Sequence, residues 1–484
     1  MQYTIKFFPE IIIKSKPVRK QFASQLRGNI RKLLKEIDPD VEVIRDWDKI
    51  TVRSQQNDAE SRAAFINVLQ NTPGIGSFLD VVEYPFEDMH TLYEQCHALH
   101  AHRLAGKRFA VRCKRVGKHD FKSGDIERYI GGGLNQNSDA AGVELKKPDI
   151  TVRIELVHDT AYIVNEHHQG LGGFPLGSLD SVMSLISGGF DSPVASYLTM
   201  KRGLRTHFVF FNMGGREHEV GVKEVALYLW LKYGASHRVK FVSVPFEGVV
   251  AELLRNVDNP YMGVILKRMM IRAASVMAEN LGVEALVTGE AIAQVSSQTL
   301  ANLSVIDEVS ETLVLRPLIA SDKEDIINVA RKIGTEDFAA NMPEYCGVIS
   351  VNPKTRAKLE RVKAEEARFD FSILEKAIED AVSTNIDQLG HEEYEQAVVE
   401  SLPIPLAEAI IIDVRHPDEA EQKPLTLNRN QVEAIPFYEL HSRFAALDQN
   451  KTYQLYCDKG VMSRLHASHL VDSGFQNVKV YRPS

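Results

Sequence analysis

Two short stretches hold residue types at spacings that do chemistry. In SLISGGFDSPVASYL an apolar run ends at Ser187-Gly188-Gly189-Phe190-Asp191-Ser192, and a helical pattern follows. Glycines at such a turn let backbone N–H groups converge without side-chain obstruction, and a helix N-terminus adds the positive end of its dipole. Ser187 and Ser192 add hydroxyl donors, so the turn reads as a phosphate cradle. Ser192 is also spaced to cap the helix ahead of Pro193. A carboxylate beside phosphate is repelled unless a cation lies between, which makes Asp191 a candidate ligand for Mg²⁺. A tight turn with no ligand is the plainer reading, but polar side chains crowded at a strand's carboxyl end favour a binding site. No G-x-x-x-x-G-K-[ST] run occurs, which excludes a Walker-type loop.

The second stretch is LYCDKGVMSRLHASHL, where Cys457 ends a strand-like run and a helix begins a few residues later. A thiolate there faces several N–H groups and a helix N-terminus, both of which lower a cysteine pKa. Lys459 adds a cation and Gly460 lets the loop curl. This is a setting for a nucleophile or an anionic persulfide, against the plainer reading of a buried core cysteine. Cys346 lies in NMPEYCGVIS, a loop flanked by Pro and Gly, and its position there singles it out. Cys96 falls on an amphipathic helix and Cys113 on an alternating strand, so both read as core. Four cysteines without a C-x-x-C pair fit neither a disulfide scaffold nor a zinc site.

The elements that position these loops form an ordered series. Residues 1–60 read strand, helix, strand, strand, and residues 61–168 mix helix and strand before a closing hairpin, ITVRIELVHDTAYIVNE. A glycine-rich linker, HHQGLGGFPLGS, comes next. From about 180 to 345 strands alternate with amphipathic helices (VMSLI, HFVFF, KFVSVPF and EALVTG are the strands), which predicts a doubly wound parallel sheet. Residues 354–400 read as helical and acidic, and residues 407–484 repeat the α/β rhythm in miniature. The fold class is therefore multidomain, α+β at the amino end and α/β beyond it.

The 484 residues suggest several domains, and 44% hydrophobic with 25% charged residues is ordinary for a globular protein. No apolar run approaches the ~18 residues of a membrane helix, and no signal-peptide pattern opens the chain, so the expectation is a cytoplasmic protein with no membrane partner. The net charge of -8 hides an asymmetry: residues 1–35 hold 9 Lys or Arg against one acidic residue, and residues 101–123 hold 8 against one. Solvated faces would explain each stretch singly; both in one half of an acidic chain suggest a polyanion. Alternation along RFAVRCKRVG puts Arg112 and Lys114 on one exposed face, suited to phosphates.

The S-G-G-x-D-S turn after the first strand of such a sheet resembles the PP-loop of the ATP pyrophosphatase superfamily, whose members adenylate a carbonyl or carboxylate oxygen and release pyrophosphate. IIIDVRHPDEA together with the Cys457 loop resembles a rhodanese domain, which carries sulfur as a cysteine persulfide. With its basic amino end, the chain resembles over essentially its whole length the tRNA uracil 4-sulfurtransferase (4-thiouridine synthetase) family, also tied to thiamine thiazole synthesis, in its longer form. That resemblance implies a ferredoxin-like domain at 1–60, a THUMP domain at 61–168 that grips tRNA, a PP-loop domain at 175–395 and a rhodanese-like domain at 404–484.

It also implies roles. Leu185, Ile186, Ser187, Gly188, Gly189, Ser192, Lys267, Gly289 and Gln298 would bind ATP. Asp191 would be catalytic through Mg²⁺, and Lys323 would neutralise the leaving pyrophosphate. Arg112 and Lys114 would meet tRNA. Cys457 would carry the persulfide, and Cys346 would form a disulfide with it. The implied reaction is ATP-dependent transfer of sulfur to the uridine at position 8 of tRNA. A cysteine desulfurase would supply the persulfide, a cellular thiol reductant would reset the cysteines, and the carboxyl terminus of a sulfur-carrier protein would be a second acceptor. A different PP-loop ligase or amidotransferase would have no use for Cys457, and a non-catalytic tRNA-binding sulfur relay would have none for Asp191.

Overall fold

Tyr3, Ile5 and Phe7 alternate with Gln2, Thr4 and Lys6 along the first strand, and that period of two decides which face of the first sheet is covered by helices. The structure, a computed structural model, describes residues 1–47, 49–213, 215–341, 353–389, 399–415, 420, 421, 423–458 and 460–483. Cys346 and Lys459 lie outside the described residues. The chain forms two compact units, Met1–Pro175 and Leu176–Ser484.

The first unit is built on one sheet of β1 (Gln2–Phe7), β2 (Glu42–Arg45), β3 (Lys49–Arg53), β4 (Ile75–Pro85), β5 (Arg108–Val116), β6 (Gly142–Val143), β7 (Ile150–Val157) and β8 (Thr160–Gln169). The strand order is β2-β3-β1-β4-β8-β7-β5-β6. Strand β4 is long enough to pair with β1 on one side and β8 on the other, so a single ladder runs through both basic stretches. The closing hairpin expected at 150–166 is present as antiparallel β7–β8. Helices Lys16–Leu34 and Ala59–Asn71 seal Tyr3, Ile5 and Phe78 with Leu26, Ile30, Phe65 and Leu69. Helices Met89–His100 and Ser123–Asn137 seal Phe109, Val111, Val152 and Ile154 with Cys96, Ile126 and Ile130. Each such side chain contributes about 1.5–3 kcal/mol by leaving water. Asp58 and Asp88 cap two of these helices by accepting backbone N–H groups.

The second unit holds two sheets. The six-stranded one comprises β9 (Ser181–Leu185), β10 (Arg205–Asn212), β11 (Lys240–Pro245), β12 (Ala285–Val287), β13 (Leu313–Leu315) and β14 (Val382–Asn385), in the order β13-β12-β9-β10-β11-β14. The first five are parallel, as alternation predicts, and the reversal beside β9 makes a crevice at their carboxyl ends. Strand β14 departs from expectation. It comes from the segment read as helical and pairs antiparallel with β11, because Val382-Ser383-Thr384-Asn385 meets an open sheet edge that no local pattern reveals. Helix Asn259–Leu281 crosses the core, where the buried Arg268 is bound by Glu366, Glu308 and the Val305 carbonyl.

The five-stranded sheet is all parallel: β15 (Ser401–Leu402), β16 (Ile410–Asp413), β17 (Val432–Ala434), β18 (Tyr453–Tyr456) and β19 (Val478–Tyr481), ordered β15-β19-β18-β16-β17. His466 of helix Val461–Asp472 lies 3.1 Å from Glu224 of helix Gly215–Leu229, joining the two halves of this unit through a buried pair. Burial pushes the Glu224 carboxyl up. Among the described residues no helix is long and apolar enough to cross a membrane.

Candidate functional site

Strand β9 ends at Leu185, and the chain turns through Ser187–Phe190 into helix Asp191–Lys201. The turn closes on itself through Ser192, whose Oγ accepts the Ser187 N–H at 2.8 Å and lies 2.9 Å from Ser187 Oγ. The expected capping role of Ser192 is therefore corrected. The helix starts at Asp191, so Ser192 and Pro193 sit inside its first turn, and the hydroxyl reaches back across the loop. A Cβ on Gly189 would meet nothing nearer than Ser187 Oγ at 3.9 Å, so the space over this bare backbone is open. The Ile186 N–H is spent on Val209 O, 2.9 Å away, so a nucleotide meeting Ile186 would use its carbonyl.

Asp191 is the meeting point. Lys323, first residue of helix Lys323–Ile333, donates to its Oδ1 at 2.8 Å, with the ammonium 5.3 Å over the Phe190 ring. Gln294 donates to its Oδ2 at 2.9 Å. Gly289, just past β12, abuts the same turn: a Cβ there would stand 2.7 Å from Asp191 C and Ser192 N. Its φ lies outside the left-handed range, so close approach to backbone is what calls for glycine. Ala293 does adopt a left-handed φ of 62° and donates to Gln298 O, folding loop 289–298 over Asp191. Gln298 is buried, and its Oε1 has no partner among the described residues, an acceptor suited to a ligand's donor. Lys267 Nζ lies 3.5 Å from Glu290, beside Gly289. Gln294 and Glu290 were not singled out from sequence; their one signal is a polar loop after the carboxyl end of a buried strand.

The other predicted residues belong to other elements. Cys457 directly follows β18, is buried, and its Sγ receives the Ser463 N–H at 3.3 Å with Ser463 Oγ at 3.4 Å. Gly460 curls the loop with φ 71°. Asp458 is tied down by Tyr456 Oη at 2.8 Å and by Arg415, which is itself forked onto Asp413. The Asp-Val-Arg signature thus clamps the cysteine loop, a role its sequence position does not disclose. The Cys346–Cys457 pairing lies outside the described residues. Cys96 is buried and Cys113 partly buried in the first unit; burial pushes their thiols up to about 12 and about 11, which disfavours the thiolate. Arg112 and Lys114 are both exposed on the side of β5 opposite Phe109 and Val111. Arg112 is pinned by donating to the Leu145 carbonyl at 2.7 Å.

Comparison with known proteins bears on this geometry. The family described as "Thiamine biosynthesis protein (ThiI)" matches residues 177–371, the ThiI ferredoxin-like domain 4–78, the THUMP domain 86–166 and the rhodanese-like domain 391–484. The chain is 56% identical over 484 residues, all of both chains, to a tRNA sulfurtransferase of Pseudomonas aeruginosa. It is 53% identical over 483 residues, again all of both, to one of Saccharophagus degradans. A crystal structure of a 4-thiouridine synthetase–RNA complex with bound ATP superposes with a TM-score of 0.70 at 25% identity, covering 79% of this chain and 99% of that one.

Proposed function

The chain belongs to the tRNA sulfurtransferase family, and from that premise we propose that it uses ATP to transfer sulfur from a persulfide on Cys457 to the uridine at position 8 of tRNA, giving 4-thiouridine. The observation that carries this reading is the convergence of the Ser187–Ser192 turn, Gly289, Gln294 and Lys323 on Asp191 at the carboxyl edge of a parallel sheet.

A uracil C4 carbonyl resists substitution because oxide is a poor leaving group. O4 attacks the α-phosphorus of ATP, an O–P bond forms, and pyrophosphate departs with the electron pair. The backbone of the 187–192 turn is suited to hold the phosphates, and Lys323 to leave Asp191 and follow the charge that grows on the pyrophosphate. Asp191 is one carboxylate, and Mg²⁺ takes one or two carboxylates besides phosphate oxygens, so Asp191 fits as its protein ligand. When bound there, Mg²⁺ supplies neutralisation of phosphate charge. The terminal sulfur of the Cys457 persulfide attacks C4, and AMP leaves. The Cys346 thiolate then attacks Sγ of Cys457, the S–S bond to the tRNA breaks, and 4-thiouridine departs as a thiolate that picks up a proton. The two cysteines finish oxidised as a disulfide, so a thiol reductant must return two electrons per turnover. Free sulfide released by Cys346 before attack on C4 balances equally.

A cysteine desulfurase supplies the persulfide, and Arg112 and Lys114 suit the tRNA backbone. The same adenylation fits the carboxyl terminus of a sulfur-carrier protein feeding thiazole synthesis. The test incubates the protein with unmodified tRNA, ATP and Mg²⁺, cysteine and a desulfurase, then assays nuclease digests for 4-thiouridine. Product is expected only with ATP and only with Cys457 present; product without ATP overturns the adenylation, and product from Cys457→Ala overturns the persulfide route.

A further inference from the structure

Beside the crevice runs a chain of four charges that the reaction scheme leaves unused. Asp307 ends helix Leu300–Asp307, Arg316 follows β13, Glu290 follows β12, and Lys267 lies on helix Asn259–Leu281. Arg316 is forked onto Asp307, with its two terminal nitrogens 2.9 and 2.5 Å from the carboxylate oxygens. Its Nε donates to Glu290 Oε2 at 2.9 Å, Thr288 Oγ1 donates to the same oxygen at 3.0 Å, and Lys267 Nζ stands 3.5 Å from Oε1. The Glu290 side chain is only 4% exposed. Burial alone pushes its carboxyl up, but the charges of Lys267 and Arg316 and the hydrogen bonds from Arg316 and Thr288 outweigh this, so it stays ionised.

We propose that Glu290 is a positioning residue that fixes the Lys267 ammonium at the nucleotide site, with Arg316, locked by Asp307, fixing Glu290 in turn. The inference rests on the reading of Lys267 as an ATP contact. Two features make the arrangement more than core packing. A lysine on a flexible four-carbon stem holds no fixed place by itself, whereas an ionised, nearly inaccessible carboxylate with its other oxygen doubly bound is a rigid anchor. Glu290 also directly follows Gly289, whose backbone is pressed against Asp191 and Ser192, so the anchor for Lys267 is itself held by the packed turn.

The test measures Mg-ATP affinity of the full-length chain by calorimetry, with thermal melting as the folding check. Glu290→Gln keeps the shape and the bond from Arg316 but removes the charge facing Lys267, and about a tenfold weaker affinity is expected. Lys267→Met is expected to weaken ATP as well. The decisive arm is the double variant: if Glu290 acts through Lys267, adding Glu290→Gln to Lys267→Met costs nothing further. Arg316→Lys keeps the charge but loses the fork, and a smaller loss is expected; should Glu290→Gln not fold, this variant in the two Lys267 backgrounds carries the same comparison. Additive losses, or wild-type affinity in Glu290→Gln, overturn the positioning role while leaving Lys267 as a contact. Unchanged affinity in Lys267→Met overturns the reading of Lys267 itself, and the proposal with it.

Discussion

Replacing Gly289 with alanine tests the close approach on which the crevice depends. The added Cβ would lie 2.7 Å from Asp191 C and from Ser192 N, and 3.0 Å from Asp191 Cβ, against the 3.4 Å at which ordinary contact begins, a shortfall of about 0.7 Å. The neighbours are backbone and cannot rotate away, so β12 and the start of helix Asp191–Lys201 must part. Overpacking of this kind costs about 1–3 kcal/mol, and each kcal/mol lowers the melting temperature by about 2–4 °C in a domain of this size. The larger consequence is positional. A displacement approaching 1 Å at Asp191 misaligns its 2.8 Å bond to Lys323 and the N–H groups of the turn, and misplacement on that scale costs about a hundredfold in rate. The assay is single-turnover 4-thiouridine formation with saturating tRNA, with ATP affinity and thermal melting measured on the same preparation. A Gly289→Ala protein that turns over and melts like the parent would refute the reasoning, because the steric conflict would then have been absorbed without moving the turn.

Three further outcomes follow from the same geometry. Lys323→Met removes an ion pair whose partners are 44% and 24% exposed; stability should change by at most about 1 kcal/mol, while product formation collapses, and a melt run beside the sulfur-transfer assay separates the two. Arg415→Met leaves the Asp413 carboxylate buried without its forked partner, a loss of about 3–5 kcal/mol; it should abolish persulfide on Cys457 in mass spectra while ATP still binds. Glu290 has a folded pKa below its ordinary value, so the stability it contributes is present above pH 4.5, the ordinary value, and is lost as pH falls through the lowered one. Acid-unfolding curves of the parent and Glu290→Gln should therefore converge towards low pH, and a gap that widens instead would contradict an ionised Glu290.

How much of this was legible beforehand varies with the range of the signal. The strand–turn–helix at 181–201, the cysteine directly after β18 and the core character of Cys96 and Cys113 were all visible in the sequence, because each depends on neighbours within a few residues. Family resemblance added Lys267, Lys323 and Gln298, which look ordinary by themselves. Contacts between distant segments were not legible at all. Asp191 meets Gln294 103 residues away and Lys323 132 residues away, and Arg415 reaches Asp458 across 43.

The amino-acid order alone determined the local devices of this protein: the glycine-lined turn, the cysteine loop, the alternation that builds parallel sheets and the basic amino end. Tertiary structure decided which of many equivalent polar residues serve them. It turned an acidic segment into the antiparallel edge strand β14 and pressed Gly289 against the phosphate turn. The physical reason is that turns and periodicity follow from backbone sterics over a few residues, whereas a carboxylate's partners are set by whichever donors the packed core brings within about 3 Å.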